Sequence, residues 1–183
     1  MKPSMKRVDG NIGPNDIEFY TAILREHRPA LVIEIGVASG FSSIVALKAM
    51  AEWGGKLASY DLATHCYYNP KLPVGFLVAE EYPEGLPRWE LHTGQTAWNA
   101  GLNHSGCTVA FIDGEHRHPY PTQDVDFLRP AMAPRAWLVL HDISHGRVAR
   151  GCADGAVKLY DGWKGEKFRL NKGTDNIGAI RLL

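Results

Sequence analysis

Leu31 to Ser42 reads LVIEIGVASGFS, and the fold turns on it. Leu31 to Ile35 is an apolar run broken only by Glu34, Gly36 and Gly40 bracket a tight turn, and the residues from Phe41 to Trp53 have helical spacing. Strand, tight turn and helix in that order form the opening unit of a doubly wound sheet. A glycine at 36 can take a backbone angle closed to other residues, and one at 40 lets the helix start lie close to whatever covers the turn. The free amides at that helix start favour polar or negatively charged ligand atoms. Alone, the turn fits NAD, FAD, a nucleoside, or no ligand at all, its glycines then serving only a strand-to-helix junction.

The 183 residues suffice for one domain burying roughly 70% of its unfolded surface. Apolar residues make up 45% of the chain and 20 basic residues balance 20 acidic ones, a composition of globular rather than disordered proteins. Without a basic excess, nothing points to nucleic acid or to an anionic membrane as partner. Cys66, Cys107 and Cys152 lack the spacing of a zinc site and are too scattered for a disulfide framework, so a reducing compartment fits better. The opening MKPSMKRVDGNIG carries charge with no apolar stretch behind it, unlike a signal peptide. No run approaches the ~20 apolar residues of a membrane span. The expectation is a cytoplasmic protein, one domain over residues 1–183, with 1–14 a flexible tail or lid. The composition is compatible with a homo-oligomer.

Outward from the opening unit, Asn15 is expected to cap a first helix with Glu18 as capping-box partner, Ile17, Tyr20, Ile23 and Leu24 as its apolar stripe, and Pro29 as its stop. In the helix after the glycine turn, Ile44, Val45, Leu47 and Ala51 can face the sheet, and Gly54 and Gly55 end it. Leu57 to Tyr60 is a second strand, closed by Asp61. From Leu62 to Pro87, four prolines and the aromatics Tyr67, Tyr68, Phe76 and Tyr82 predict a long connection with one short helix around Val74 to Glu81. That connection is either a lid over a site or a plain surface crossover. Strands follow at Trp89–His92 and Cys107–Ile112, the latter apolar enough to be covered on both faces, with a helix at Thr96–Asn103 between them. A helix from Thr122 to Met132 should bury Val125, Phe127 and Leu128 and bend at Pro130. Trp137–Leu140 is a strand running into His141 and Asp142, and Val148–Tyr160 a helix. Lys167–Leu170 and Asn176–Leu182 close the chain as an antiparallel edge hairpin turning at Asn171, Lys172 and Gly173. The fold predicted is a Rossmann-like α/β domain: a doubly wound, seven-stranded, mostly parallel sheet with an antiparallel C-terminal hairpin and helices on both faces.

Open α/β sheets bind ligands beyond the carboxyl ends of their strands. Here four strands end at Gly36, Asp61, Asp113 and Asp142. An acid after the second strand, ~20 residues past the glycine turn, is placed to accept hydrogen bonds from a ribose diol; it could equally be a strand-end turn former. If the strands ending at Asp113 and Asp142 are neighbours, their ends lie about 4.8 Å apart. Two carboxylates that close need a proton, a cation or an arginine between them. Mg²⁺ suits such oxygen ligands; the alternative is an ion pair with Arg117, Arg147 or Arg150. His116, three residues past Asp113, sits in the loop where it could face the same ligand as a base, though His65, His118, His141 and His145 are further candidates.

VIEIGVASGFSS, YDL and FIDGEHRHPYPTQDVDFLRPAMAPRAWLVLHD together resemble the class I S-adenosylmethionine-dependent O-methyltransferases. The nearest branches are small bacterial enzymes related to macrolide-sugar O-methyltransferases and cephalosporin-biosynthesis proteins, with the catechol O-methyltransferases more distant. The resemblance covers most of Leu31 to Leu183, and the FIDGEH and LVLHD pair is more specific than the glycine turn. It implies that Glu34, Gly36 and Ser42 line the methionine end of S-adenosyl-L-methionine, that Asp61 holds the ribose, and that Ser39, Gly40, Thr93 and Asp113 complete the cofactor site. It further implies that Asp113 and Asp142 bind Mg²⁺ or a similar divalent cation and that His116 is the catalytic base. Catechol enzymes have Asn after the second aspartate, where this chain has Ile143, and the sugar enzymes have Glu before it, where this chain has His141. His141 is therefore the candidate third ligand, softer than Mg²⁺ prefers.

The implied reaction is transfer of a methyl group to a hydroxyl of a small molecule. The sulfonium is an activated donor, so the protein aligns an oxygen with it and leaves that oxygen deprotonated. Two rivals use the same features. A nicotinamide oxidoreductase would use the turn and Asp61 but leave Asp113 with Asp142 unexplained. A catalytically silent cofactor-binding or scaffold protein would fit the missing third ligand.

Overall fold

The computed structural model describes residues 12–170 and 176–183. Helix α1 (Pro14–His27) leads into strand β1 (Leu31–Ile35), helix α2 (Phe41–Met50) with a 3₁₀ turn behind it, and strand β2 (Lys56–Asp61). A small hairpin, β3 (His65–Cys66) with β4 (Asn69–Pro73), then helix α3 (Phe76–Glu81) and a 3₁₀ segment reach β5 (Trp89–Thr93). Next come α4 (Ala97–Asn103), β6 (Cys107–Ile112), α5 (Tyr120–Leu128) and β7 (Met132–His141). The chain closes with α6 (His145–Val148), α7 (Gly155–Gly162), β8 (Lys167–Arg169) and β9 (Ile177–Arg181). The main sheet runs β5-β2-β1-β6-β7-β9-β8. Its first five strands are parallel, and β9 is antiparallel to both β7 and β8. This is the Rossmann-like, doubly wound, seven-stranded sheet expected from the sequence. Strand order reverses between β1 and β6, which opens a cleft at their carboxyl ends.

Alternation along β1 assigns its side chains to two cores. Val32 points to the face covered by α1, α2 and α3, among Tyr20, Leu24, Ile44, Leu47, Met50, Leu77 and Val78. Ile33 and Ile35 point to the other, packed with Ala97 and Ala100 of α4, Val125 and Leu128 of α5, and Leu159 and Tyr160 of α7. The same alternation sends Glu34 inward, toward α2. It is fully buried, and its carboxylate accepts hydrogen bonds from Ser42 and Ser43, both at 2.6 Å, and from Ser59 at 2.5 Å. The first turn of α2 is thereby tied to the middle of β1 and β2.

Several local expectations are corrected. Helix α1 is capped at Gly13, not Asn15: Pro14 takes the first helical position, where its missing N–H costs nothing, and Asp16, rather than Glu18, accepts from the Gly13 N–H at 2.9 Å. Ala51 is exposed in the 3₁₀ turn behind α2. The helix expected from Thr122 begins at Tyr120 and ends at Leu128, and Phe127 is exposed, edge-on to Trp98 with ring centroids 5.4 Å apart. The helix expected over Val148–Tyr160 is two helices, because Gly151 adopts a positive φ of 91° between them. Within Leu62 to Pro87 the short helix expected around Val74 to Glu81 is present as α3, the hairpin β3–β4 before it was not expected, and Leu77, Val78 and Tyr82 enter the core. Of the segment 1–14, Ile12 is buried and Pro14 opens α1, while residues 1–11, like the turn at Asn171, Lys172 and Gly173, lie outside the described residues. Among the described residues, no helix is long and apolar enough to cross a membrane.

Burial raises the Glu34 carboxyl from 4.5 to about 7 against the opposing pull of the three serine hydroxyls. Between those values the folded chain holds a proton that the unfolded chain has released, so the stability present below the unfolded pKa is lost as pH rises through the folded one. The loss should be on the order of 3 kcal/mol. Chemical denaturation across that window measures it, and Glu34→Gln should flatten the slope; an unchanged slope in the variant would assign it to another group.

Candidate active site

The glycine turn is shaped by contacts that leave no room for side chains. Gly36 has φ 86°, and a Cβ there would lie 2.1 Å from the Asp113 carbonyl oxygen. Gly36 N–H donates to the Tyr60 carbonyl at 2.9 Å and Asp113 N–H to the Ile35 carbonyl at 2.8 Å, which holds the ends of β1, β2 and β6 together. Gly40, with φ 87°, faces Gly75 and Val78, so what covers the turn is the approach to α3. Gly75 N–H donates to the Ala38 carbonyl and Leu77 N–H to that of Ser39. Ile12, Gly36, Val37, Ala38, Ser39, Phe41, Ser42 and Asp113 line the cleft.

Asp61 turns toward this loop. Its Oδ2 accepts from the N–H groups of Val37 at 2.9 Å and Ala38 at 3.1 Å, and its Oδ1 accepts from Ala63 at 2.9 Å. Thr93, its register partner on β5, is exposed at the sheet edge. Glu34 does not reach the cleft surface and touches it only through Ser42.

At the ends of β6 and β7 the structure gathers Asp113, His116, His141 and Asp142. These strands are parallel neighbours, and Asp113, His141 and Asp142 offer ligand atoms within 4.8 Å of one another. His116 bridges the two carboxylates, its Nε2 3.2 Å from Asp113 Oδ1 and its Nδ1 2.7 Å from Asp142 Oδ2. Both ring nitrogens face carboxylate oxygens, so the ring carries two N–H groups and a positive charge. The hydrogen bonds it donates to Asp113 and Asp142 raise it to about 10. His141 is buried, with Nδ1 3.0 Å from Asp113 Oδ1 and Nε2 3.5 Å from Asp16 Oδ2. Burial opposes its charge but is outweighed by Asp113 and Asp16, which lift it to about 10. Burial would raise both site carboxyls too, but the two histidines hold Asp113 and Asp142 below their ordinary value.

Of the arginines considered as partners, Arg147 donates to Asp142 Oδ1 at 2.5 Å, whereas Arg117 is taken up by Glu115. Two members of the cluster have no signal in the local sequence. Asn176, just before β9, donates from Nδ2 to Asp142 Oδ1 and lies 3.2 Å from His141 Nε2. Asp16 arrives from α1. The pairing of His141 with Ile177 across β7 and β9 is what brings Asn176 there. His145, by contrast, pairs with Asp161 on the surface and His65 lies beside Thr64.

A methyltransferase-domain family matches residues 33–143, more than half of the chain. Solved structures share the fold. The O-methyltransferase TomG of Streptomyces achromogenes, involved in tomaymycin synthesis and solved with S-adenosylmethionine, is 14% identical, with 95% of this chain and 82% of that one covered and a TM-score of 0.68. The O-methyltransferase of Bacillus cereus, solved with S-adenosylhomocysteine, is 13% identical over 95% and 84% of the two chains, TM-score 0.67. The methyltransferase PaMTH1 of Podospora anserina, also solved with S-adenosylhomocysteine, is 14% identical over 96% and 81%, TM-score 0.68. No curated protein matches the chain significantly. The chain belongs to the methyltransferase-domain family.

Asp61 fixes the turn by accepting from Val37 and Ala38, two residues that line the cleft, so if it also meets the ribose, Asp61→Ala should act twice. It should lower thermal stability and weaken S-adenosylhomocysteine binding, each by about 1 to 3 kcal/mol, the usual cost of hydrogen bonds to a charged group. Calorimetric titration beside thermal unfolding reads both; a variant with wild-type affinity would remove Asp61 from the cofactor site.

Proposed function

We propose that the protein transfers the methyl group of S-adenosyl-L-methionine to a hydroxyl of a small molecule. The observation that carries this reading is the meeting of Asp113, Asp142, His116 and His141 beside the cleft of the glycine turn, in a chain of a methyltransferase family. In this reading Gly36, Ser39, Gly40, Ser42 and Asp113 hold the methionine end of the cofactor, with Glu34 fixing Ser42 from beneath. Asp61 takes the ribose, and Thr93 extends the site across the end of β5. Two chains of the same fold solved with S-adenosylhomocysteine and one with S-adenosylmethionine support the choice of cofactor. All three cysteines are free, which supports a reducing, cytoplasmic setting.

The donor set fits a divalent cation such as Mg²⁺. Arg147 and Asn176 both approach Asp142 Oδ1, so Oδ2 is released once His116 turns away, and 40% of the His116 side chain is already exposed. Asp113, Asp142 and His141 would hold the ion, whose charge, when bound, lowers the pKa of a nearby hydroxyl. His116 receives the acceptor's proton. While it bridges the two carboxylates the ring is fully protonated and cannot do so; turned away from them, it returns toward a neutral imidazole able to act as a base. Ile12 and Phe41 supply apolar walls that exclude water from the cleft.

Calorimetric titration should give micromolar binding of S-adenosylhomocysteine and none of NAD; the reverse would end this reading in favour of an oxidoreductase. A panel of phenolic, sugar and small-metabolite hydroxyls should then reveal the acceptor by methyl transfer. With that acceptor, His116→Gln should lose roughly 10² to 10⁴ in turnover and leave cofactor affinity nearly unchanged. Wild-type turnover in the variant would remove His116 as the base, and full activity in EDTA would remove the cation.

A further inference from the structure

Asp16 belongs to the first helix, far in sequence from the strand ends, yet its carboxylate is buried and lies 3.5 Å from His141 Nε2. Among the contacts described for it, the other is the Gly13 N–H of the helix cap. A carboxylate is costly to bury without a partner of opposite charge, and His141 is the cation in reach. The opposite nitrogen of that ring, Nδ1, faces the carboxylates: Asp113 Oδ1 at 3.0 Å and Asp142 Oδ1 at 3.5 Å. The two nitrogens therefore have separate environments: Nδ1 lies among ligand oxygens, and Nε2 lies between the buried Asp16 carboxylate and the Asn176 amide, which is 3.2 Å away and donates to Asp142 Oδ1. A histidine that binds a metal is neutral, and it donates its remaining N–H to an outer group, commonly a carboxylate, that fixes which nitrogen keeps the lone pair. Here that requirement puts the proton on Nε2, toward Asp16, and the lone pair on Nδ1, toward Asp113 and Asp142. Such bonds are often long in an unloaded site and tighten on loading.

A second observation points to a ligand. The Asn176 carboxamide lies in the cluster, buried, with Nδ2 on Asp142, and its Oδ1 is a buried acceptor with no hydrogen-bond partner. A buried acceptor left without a donor is the kind of group that a bound ligand or its waters would satisfy.

We propose that Asp16 is the outer carboxylate of an Asp16–His141–metal relay, and that the ion held is a borderline transition ion such as Mn²⁺ or Zn²⁺ in preference to Mg²⁺. The inference rests on the reading of Asp113, Asp142 and His141 as ligands. Two carboxylates alone suit Mg²⁺, which keeps most of its waters. Adding an imidazole with a fixed tautomer moves the set toward metals that accept nitrogen. Asp16 is then a positioning residue: it acts through His141, and it ties the N-terminal helix to the site.

The test is calorimetric titration of the full chain with MnCl₂, ZnCl₂ and MgCl₂, with manganese binding checked by electron paramagnetic resonance. Wild type should bind Mn²⁺ or Zn²⁺ at least about tenfold more tightly than Mg²⁺. Asp16→Asn keeps a side-chain oxygen to accept from Gly13 N–H, so the helix start survives. It should weaken Mn²⁺ and Zn²⁺ about 10- to 100-fold while leaving S-adenosylhomocysteine affinity and the circular dichroism spectrum unchanged, and Asp113→Asn should abolish binding of all three ions. Equal affinities in wild type and Asp16→Asn would overturn the relay and leave the three-ligand site standing. Mg²⁺ bound as tightly as Mn²⁺ and Zn²⁺ would overturn the class of ion, a result that wild type alone can give. Wild type that binds S-adenosylhomocysteine but none of the ions would overturn both the relay and the site beneath it.

Discussion

The contact between Gly36 and the backbone of Asp113 sets the geometry on which the rest depends. A side-chain carbon at residue 36 would sit 2.1 Å from the Asp113 carbonyl oxygen, so the ends of β1 and β6 meet at a distance that only a hydrogen can fill. The hydrogen bonds from Asp113 N–H to Ile35 and from Gly36 N–H to Tyr60 continue the sheet one residue past the strands. The glycine turn and the carboxylate cluster consequently share a wall at one depth. Moving either strand end moves the cleft and the carboxylate–histidine cluster together.

That shared wall is held by polar groups on both sides. Beneath it, buried Glu34 binds the hydroxyls of Ser42 and Ser43 at the start of α2 and of Ser59 in β2, and Trp89 Nε1 donates to Ser59 at 2.9 Å, which extends the network to β5. At the strand ends, Asp61 takes the turn's own amides, and the chain around Gly75 takes its carbonyls. A loop whose donors and acceptors are satisfied by three separate elements is organised before any ligand arrives, so little ordering cost falls on binding. The cost is placed instead in the burial of Glu34, whose carboxyl is pushed to about 7.

What was legible in the sequence was what depends on near neighbours. The alternation of Leu31 to Ile35, the two glycines after it and the acids after three strands are short-range signals, and they located the sheet, the cleft and the pairing of Asp113 with Asp142. Glu34 illustrates the limit: the resemblance set it at the cofactor, and only the fold shows that strand alternation buries it beneath the cleft, joined to that cleft through Ser42. The Leu62–Pro87 hairpin was hidden because its strands are short and carry prolines at positions 70 and 73, which read as loop. Asp16 and Asn176 were hidden for a different reason. Nothing beside either residue in the chain marks it; only the docking of α1 on the sheet and the antiparallel return of β9 bring them to His141. Gly151, which splits the last long helix, acts through a backbone angle that composition alone does not announce.

The charges at the site close on themselves. Asp16, Asp113 and Asp142 face His116, His141 and Arg147, three against three, so a further cation entering the cluster must replace one already there. Arg147 keeps its charge under all ordinary conditions, and its contact on Asp142 Oδ1 leaves Oδ2 to His116. His141 is 5% exposed and held from both sides, whereas His116 sits in a loop with 40% of its side chain open to solvent. The loop backbone is anchored by Gly155 N–H donating to the His116 carbonyl, so the ring can move without the main chain following. His116 is therefore the exchangeable cation. Its departure would free Oδ2 of Asp142 and leave Asp113 Oδ1 to His141 alone, so that the charge balance of the cluster and the protonation of the His116 ring are coupled through one side chain.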